Sequence, residues 1–264
     1  MLMATLVLDL KKSIEENASD YYERAKKIKR KIEGAEEALQ KSLKKLKELE
    51  EKRENHEAKE EKLSKAKERK KEWYEKFRWF ISSDGFLVVG GRDATSNEII
   101  IKKHAEKNDL VLHTDMAGSP FFVVKANNKE IPKTTIKEVA DATCTFSRAW
   151  KLGLQATDVF YVAPEQVSRK AKSGEYLTKG AFMIYGKTNY MENKANLAIG
   201  LAKDNAIMSG PLEAVKKHCE KYVILKQGDE KASSIAKKIS HKLGGNLDLD
   251  EIIRALPAGN FKIQ

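Results

Sequence analysis

Between residues 13 and 51 an apolar side chain recurs at about every third or fourth position, in a background rich in Lys and Glu. This spacing keeps the apolar side chains on one face of an α-helix, because the helix has about 3.6 residues per turn. Ser13 and Glu16 have the spacing of a capping box at the helix start. The stripe predicts the seam of a coiled coil, with Ser42 as its weak position. The seam consists of Ile14, Ala18, Tyr21, Ala25, Ile28, Ile32, Ala35, Leu39, Leu46 and Leu49.

Beyond residue 51 the stripe fades, since Arg53 and His56 occupy the next seam positions. Neither Gly nor Pro interrupts residues 35–83, which favours one long helix. The alternative is a hairpin that turns near residues 53–56, with a second helix at 57–78 folding back. Either way the seam needs a partner, because a lone amphipathic helix leaves its apolar face in water.

Three segments follow from this pattern. Residues 1–12 form an N-terminal extension, whose short apolar run is expected to dock on neighbouring structure. Residues 13–76 form the coiled-coil arm, and residues 77–264 form a globular domain. The aromatic run at the junction predicts a buried anchor, and comprises Trp73, Tyr74, Phe77, Trp79 and Phe80.

The domain alternates short helical and strand patterns, which predicts an α+β fold with a mostly antiparallel sheet. Asp84-Gly85 indicates a tight hairpin within 80–89. Thr134 or Thr135 is expected to cap a helix at 134–151. The other helices are predicted at 96–106, 211–219, 229–243 and 248–255, and the other strands at 109–114, 120–125, 158–163, 180–186, 196–202, 205–209 and 222–226.

Charge limits the class of partner. Lys and Arg exceed Asp and Glu by 11, and the excess is shared between the arm and the domain. A basic folded domain favours polyanions such as RNA, DNA or an anionic membrane. No segment has the roughly 20 apolar residues of a membrane span, and no signal peptide is visible. Cys144 and Cys219 lack metal-ligand spacing, so we expect a reducing cytoplasm and no membrane partner.

The first candidate RNA contact is the turn Gly90-Gly91-Arg92-Asp93, between a strand and a helix start. Two glycines before a helix can present free backbone N–H groups to a phosphate. Arg92 would add a bidentate donor beside them. The simpler interpretation is that the glycines permit a turn and that Asp93 or Thr95 caps the helix.

The second candidate is the loop at 168–179, which combines four cations, a glycine and a tyrosine. Such a loop can follow a phosphate backbone while the tyrosine stacks on a base, although a merely solvated loop has the same composition. Its candidate contacts are Arg169, Lys170, Lys172, Tyr176 and Lys179. Arg148 and Lys151 share one face of a helix end, and Lys187 follows the 180–186 strand, so all three are further candidates. Trp150 is expected in the core.

His113 and Asp115 alternate along a strand and would project to one face. A metal site or a proton relay would need a third group, and no His, Asp, Glu or Cys has the spacing to supply it. A hydrogen-bonded pair that shapes the turn at 117–120 is the structural interpretation, and contact of His113 with RNA is the functional one. With no nucleophile or phosphate-loop motif, we expect a protein that is not an enzyme and has no metal or cofactor.

Several motifs of the domain together resemble the NFACT-R domain, the C-terminal part of the RqcH/NEMF family of ribosome-associated quality-control factors, in its archaeal type. They are the stretch from Phe77 to Glu98, His113-Thr-Asp-Met-Ala-Gly-Ser-Pro-Phe121, Ser147-Arg-Ala-Trp-Lys-Leu-Gly153, and Gly174 to Gly186. Leu256-Pro-Ala-Gly-Asn260 is similar to the family's Pro-x-Gly-Lys ending, with Asn260 in place of Lys. Residues 9–22 resemble the start of the family's coiled coil.

The resemblance implies binding to obstructed large ribosomal subunits and to tRNA, in support of untemplated alanine tailing of stalled chains. The family's N-terminal half, with its Asp-Arg motif, has no counterpart here, and Arg92-Asp93 is a different feature. The expected partners are therefore large-subunit RNA, tRNA, and a helix from that N-terminal half or from a second copy of this chain. The alternatives are an accessory RNA-binding domain of a tRNA-modifying system, or a dimeric coiled-coil scaffold.

Overall fold

The computed structural model describes residues 7–64, 71–169, 180–245 and 247–264. The chain divides into two compact units, Met1–Glu68 and Arg69–Gln264. None of the described helices is both long enough and apolar enough to cross a membrane.

The first unit is built on one helix, α1 (Ile14–Ser64), of 51 residues and therefore about 76 Å long. Its start is the predicted capping box: Ser13 N donates to Glu16 Oε2 at 2.7 Å, and Glu16 N donates to Ser13 Oγ at 3.1 Å. The helix passes through residues 53–56 without a turn, as the single-helix prediction requires. It does not extend to residue 83, because residues 71–77 form irregular structure and turns.

The segment before α1 docks on the helix through polar groups. Val7 N and O bond to the Tyr21 hydroxyl at 3.0 and 2.8 Å, and Asp9 N donates to Asn17 Oδ1 at 2.8 Å. The predicted docking is confirmed for the described residues, but its apolar side chains stay exposed, with Leu10 fully so.

The described residues of the second unit form three antiparallel sheets, which confirms the predicted α+β class. A six-stranded sheet has the order β1-β2-β4-β3-β5-β8, a four-stranded sheet has the order β10-β9-β11-β12, and β6 pairs with β7. The strands are β1 (Arg78–Ile81), β2 (Leu87–Gly90), β3 (Leu110–Thr114), β4 (Phe122–Val124), β5 (Val159–Val162), β6 (Val167–Ser168), β7 (Met183–Ile184), β8 (Asn189–Met191), β9 (Leu197–Ala202), β10 (Ile207–Gly210), β11 (Cys219–Lys231) and β12 (Asn260–Ile263).

Helices cover these sheets. They are α2 (Ala94–Ile99), which continues into a π-helical turn (Ile100–His104), α3 (Lys133–Phe146), α4 (Arg148–Lys151), α5 (Leu212–His218), α6 (Ala232–Leu243) and α7 (Leu249–Ala255). A short 3-10 turn lies at Pro164–Gln166. The predicted helix at 134–151 is interrupted at Ser147, whose Oγ accepts Ala149 N at 3.0 Å and thereby starts α4.

The six-stranded sheet is buried on both faces. Alternate residues of a strand point to opposite faces, so Val88 and Leu112 enter one core while Val89 and Val111 enter the other. The larger core lies against the four-stranded sheet and α3, and the smaller one contains Phe77, Ile100, Phe121 and Phe160. Trp150, 3 % exposed, belongs to the larger core as predicted.

The predicted threonine cap of α3 is wrong. Pro132 occupies the N-cap position, and the hydroxyls of Thr134 and Thr135 both donate to Asp84 Oδ2, the latter at 2.8 Å. The helix begins at Lys133, so Thr134 and Thr135 already lie in its first turn, whereas an N-cap residue must precede the helix and accept from a backbone N–H. The threonine hydrogen bonds lower the pKa of Asp84 and join the β1–β2 hairpin to α3.

Candidate nucleic-acid interface

A cleft of about 530 Å³ lies beside the six-stranded sheet, at one end of its strands, and we call it the aromatic cleft. Because neighbouring strands are antiparallel, this end of the sheet brings together the start of β1, the ends of β2 and β3, and the start of β4. Gly180, Ala181 and Phe182 close the cleft from another side. The side chains that define it are Arg78, Arg92, His113, Asp115, Phe121, Phe146, Phe160 and Phe182.

The two glycines before α2 allow close packing inside the protein. A Cβ on Gly90 would lie 2.2 Å from the Phe122 ring, and one on Gly91 would lie 1.8 Å from Asn97 Oδ1. Gly91 N donates to Phe121 O at 3.0 Å. These contacts explain the glycines without a ligand.

The predicted row of free N–H groups in this turn is not present. Arg92 N and Asp93 N both donate to Ser96 Oγ, at 2.8 and 2.9 Å. Asp93 caps α2 as predicted, since its Oδ1 accepts Ser96 N at 2.8 Å. The anion nest expected from the sequence is therefore wrong, and only the side chain of Arg92 can serve an external phosphate here.

Arg92 is half-buried, although nothing in the sequence around it predicts burial. Its Nη2 donates to Phe77 O at 3.1 Å, and its buried Nε has no hydrogen-bond partner. Burial lowers the pKa of Arg92, and the charge of Arg254 lowers it further. The charge of the neighbouring Asp93 acts in the opposite direction.

Arg78 lies beside it at the start of β1. Its Nη1 donates to Leu256 O at 2.9 Å, and its guanidinium lies 4.6 Å from the centroid of the Phe146 ring. Burial, with the charge of Arg92 as the second cause, lowers the pKa of Arg78 to about 10. The cation–π contact and the carbonyl bond hold the guanidinium in place.

Arg78, Arg92 and Arg254 form what we call the arginine cluster, and all three line a neighbouring cavity of about 360 Å³. Within the described part of the chain, no carboxylate forms an ion pair with any of them. Glu251 also lines this cavity, but it is paired with Lys71. Neighbouring cations that repel one another favour the binding of an anion.

His113 packs its ring on Phe121, with 3.9 Å between centroids. Its Nδ1 lies 2.6 Å from Thr114 O, and burial lowers the pKa of the imidazole. Asp115 instead accepts the Tyr190 hydroxyl at 2.9 Å. The predicted bond between His113 and Asp115 is thus replaced by separate bonds. The turn is shaped instead by the hydroxyls of Thr114 and Ser119, which bond to each other.

Metal binding receives no support from these side chains. Across the described ranges, the structure contains no group of three or more His, Cys, Asp and Glu side chains that could hold a metal ion. Cys144 and Cys219 are buried thiols, and burial raises the pKa of each to about 11.

The basic loop begins at Arg169, whose Nη1 pairs with Glu98 Oε2 at 2.9 Å. Glu98 Oε1 accepts Gly180 N at 3.1 Å, so one carboxylate on α2 binds both ends of the segment. The hydrogen bond from Gly180, together with the charge of Arg169, lowers the pKa of Glu98. The candidates within the segment, Lys170, Lys172, Tyr176 and Lys179, lie outside the described residues.

The remaining basic candidates do not line the cleft. Arg148 and Lys151 are exposed on α4, which is held to β12 by the Trp150 Nε1 bond to Asn260 O at 3.2 Å. Lys187 is exposed, and its carbonyl accepts Gln166 Nε2 at 3.0 Å. Their contact with RNA stays a prediction.

The sequence patterns did not point to Arg78, Phe121 and Phe182, which line the cleft, or to Arg254, which lines the neighbouring cavity. The one available signal was Arg78, a cation within an otherwise apolar and aromatic run. Phe182 and Arg254 stand 104 and 176 residues after Arg78 in the chain. Nothing in the local sequence of either residue indicates that it lies near Arg78.

A family model described as the NFACT protein RNA binding domain matches residues 76–186, the range that contains most of the cleft. The Archaeal Rqc2 homolog aRqcH of Methanocaldococcus jannaschii is 41 % identical over 200 residues, which are 74 % of this chain and 30 % of that protein. Ribosome quality control complex subunit NEMF of Homo sapiens is 38 % identical over 180 residues, or 66 % of this chain and 16 % of that protein.

A more distant relative is ribosome quality control complex subunit 2 of Saccharomyces cerevisiae, 24 % identical over 179 residues, which cover 68 % of this chain and 17 % of that protein. The C-terminal structure of the fibronectin/fibrinogen-binding protein from Streptococcus suis covers 47 % of each chain at 18 % identity and a TM-score of 0.37, a likeness too weak to inform the fold. The chain spans 30 % or less of the curated relatives it matches. It belongs to the RqcH/NEMF family, in its archaeal type, and contains the family's NFACT-R domain.

Proposed function

We propose that this chain is the RNA- and ribosome-binding part of a ribosome quality-control factor. The observation that carries the proposal is the overlap of two findings: the NFACT RNA-binding match covers residues 76–186, and the same range supplies Arg78, Arg92 and the aromatic walls of the cleft. A net charge of +11 favours a polyanionic partner.

The finer proposal is that the chain contacts obstructed large ribosomal subunits and tRNA, in the cytoplasm, and supports untemplated C-terminal alanine tailing. The names of its relatives supply the ribosome quality-control setting. The ribosome itself makes the peptide bond in this scheme, so the chain contributes binding and positioning and need not be an enzyme.

The arm is proposed to form a coiled coil with a partner helix. Five of the large apolar side chains of the seam are more than half exposed, with exposed fractions of 52–61 %: Ile28, Ile32, Leu39, Leu46 and Leu49. Leu43, 56 % exposed, stands four residues after Leu39 and three before Leu46, so it continues the stripe where Ser42 was the weak position. A second copy of this chain or another helix of the quality-control machinery would cover it.

Crosslinking in cells tests the RNA proposal. The chain is expected to crosslink to large-subunit RNA and to tRNA, whereas crosslinks to tRNA alone would favour the tRNA-modification alternative. If no RNA is recovered, the remaining alternative is that the chain is a dimeric coiled-coil scaffold. The double variant Arg92→Gln/Arg254→Gln should reduce the yield. The matched control Lys226→Gln/Lys237→Gln should not, because it removes two exposed cations that do not line the cleft.

A further inference from the structure

We propose that the aromatic cleft accepts the base of a single unpaired RNA nucleotide, and that Arg78 and Arg92 hold the phosphate of that nucleotide. This inference rests on the proposed RNA-binding function and names the site and the form of RNA that it recognises.

The walls of the cleft suit a flat aromatic ligand. The Phe121 ring lies 3.9 Å from His113 and 5.0 Å from Phe182, the latter edge to face at 70°. His113 also approaches Phe160, at 6.2 Å. A volume of about 530 Å³ falls within the range of about 300–1,000 Å³ of small-ligand sites. A base that is not stacked in a helix is stabilised when it stacks on such side chains.

The sheet orders the charges along the cleft. Arg78 begins β1 and Arg92 follows β2, while His113 and Asp115 lie at the end of β3. Because β4 lies between β2 and β3, the strand before Arg92 lies two strand spacings from β3, or about 10 Å, and the strand of Arg78 lies three spacings away, or about 14 Å. An anion is favoured at the arginine end and repelled at the Asp115 end. Asp115 can accept a hydrogen bond from the amino group of a base.

The arginine end has donor capacity to spare. Each guanidinium uses one bond to a backbone carbonyl, Arg78 to Leu256 and Arg92 to Phe77. A guanidinium has five N–H donors, and Arg92 Nε has no partner. Only the charge of Asp93 acts favourably on Arg92, and no carboxylate in the described ranges forms an ion pair with either residue. A phosphate would therefore supply a close ion pair that the described residues do not provide.

The test measures the affinity of the full chain for three RNA hairpins that differ at one position: a bulged adenosine, an abasic residue at the same place, and no bulge. The bulged adenosine should bind roughly 5- to 150-fold more tightly than the abasic hairpin, which retains the phosphate but lacks the base. AMP is added as a competitor. Competition at low concentration would indicate a site for free nucleotides rather than for RNA.

Two variants locate the site. Phe182→Ala should abolish the difference between the adenosine and abasic hairpins, and Phe182→Leu serves if the alanine variant does not fold. Arg92→Gln should weaken both hairpins alike and lower the salt slope by about 1. Tyr185→Ala, an exposed aromatic on the same segment that does not line the cleft, should leave the difference intact.

The outcomes separate this inference from the function on which it rests. Equal binding of the adenosine and abasic hairpins by the unaltered chain overturns the base site and leaves RNA binding in place. Loss of the difference in Tyr185→Ala, or its survival in both Phe182 variants, also overturns the site. Absence of binding to every RNA tested overturns the RNA-binding function itself.

Discussion

Arg92 donates from Nη2 to the carbonyl oxygen of Phe77 at 3.1 Å, so the turn after β2 is joined to the segment that enters β1. Phe77 is only 2 % exposed. The same guanidinium therefore supports the fold with one N–H group and faces the cleft with others. Stability and RNA affinity should both depend on it.

Arg92→Ala is expected to lower the free energy of unfolding by about 1–2 kcal/mol. The bond to a buried carbonyl is worth about 1.5–3 kcal/mol when the donor is charged, and relief of repulsion within the arginine cluster offsets part of it. RNA affinity should fall as well. Urea unfolding and RNA titration measure the two effects.

Arg254→Ala is the control for this variant. Arg254 is exposed, and the described residues offer it no ion pair, so its loss should reduce RNA affinity with almost no change in stability. If Arg92→Ala matched that behaviour, the bond to Phe77 would contribute nothing to the fold.

Asp93→Ala should destabilise the protein by about 1 kcal/mol, the usual effect of losing an N-cap. Asp93 accepts Ser96 N at 2.8 Å, and alanine offers no acceptor. Asp93→Asn keeps the cap oxygen and should lose little. Thermal melting distinguishes them. RNA affinity should not fall in either variant, because each removes a carboxylate that lines the cleft beside Arg92.

Lys125 and Asp109 form a buried ion pair, 2.5 Å apart, with side chains 9 % and 1 % exposed. Asp109 Oδ1 also accepts Ala126 N at 2.9 Å. Asp109→Ala should cost about 3–5 kcal/mol, because it leaves the ammonium group of Lys125 buried without its partner. Glu106 contacts the same lysine at 3.1 Å but is 74 % exposed, so Glu106→Ala should change stability by less than about 1 kcal/mol.

A small effect of Asp109→Ala in urea unfolding would show that Lys125 finds another acceptor. The carbonyl of His104, which already accepts from it at 2.8 Å, is the candidate.

Local chemistry explains which parts of the fold the sequence predicts. Asp84-Gly85 predicts a hairpin because glycine readily adopts the positive φ that a tight turn requires. In the structure Gly85 has a φ of +87°. Ser13 and Glu16 likewise act within one turn of a helix. Both signals lie within a few residues of the structure that they specify.

The predictions from the sequence are wrong where contacts with residues elsewhere in the chain decide the local structure. Thr134 and Thr135 have the chemistry of a cap, but the helix begins before them at Lys133, and their hydroxyls instead donate to the carboxylate of Asp84, about 50 residues earlier. The pair Gly90-Gly91 has the composition of an anion nest, but Phe122 and Asn97 fill the space above it. The arginine cluster could not be predicted at all, since Arg254 comes from the far end of the chain.

The arm is expected to associate, because its exposed seam gains stability from a partner helix. Sedimentation should show a dimer whose population rises with concentration. Leu39→Lys should shift this equilibrium toward monomer, while Gln40→Lys adds the same charge outside the seam and should have little effect. A chain that stays monomeric at all concentrations would indicate that the partner is a different protein.

The final prediction concerns protonation of His113. Burial lowers the pKa of its imidazole in the folded protein, whereas the unfolded chain has the ordinary value of about 6.5. Below that pH the unfolded chain binds more protons, so the contribution of His113 to stability is complete above about pH 6.5 and is lost as the pH falls toward the folded pKa. His104 acts in the same direction, through burial and then the charge of Lys76.

Glu138 acts in the opposite direction, because burial raises its carboxyl pKa and it favours the folded state at lower pH. Comparison of variants isolates the histidine. Urea unfolding between about pH 7.5 and pH 5 should show a smaller loss of stability in His113→Phe than in the unaltered chain. The phenyl ring keeps the contact with Phe121 and cannot be protonated, so RNA affinity at neutral pH should persist. An unchanged pH dependence in His113→Phe would mean that His113 binds protons equally in both states, and that the cleft is wetter than its aromatic walls imply.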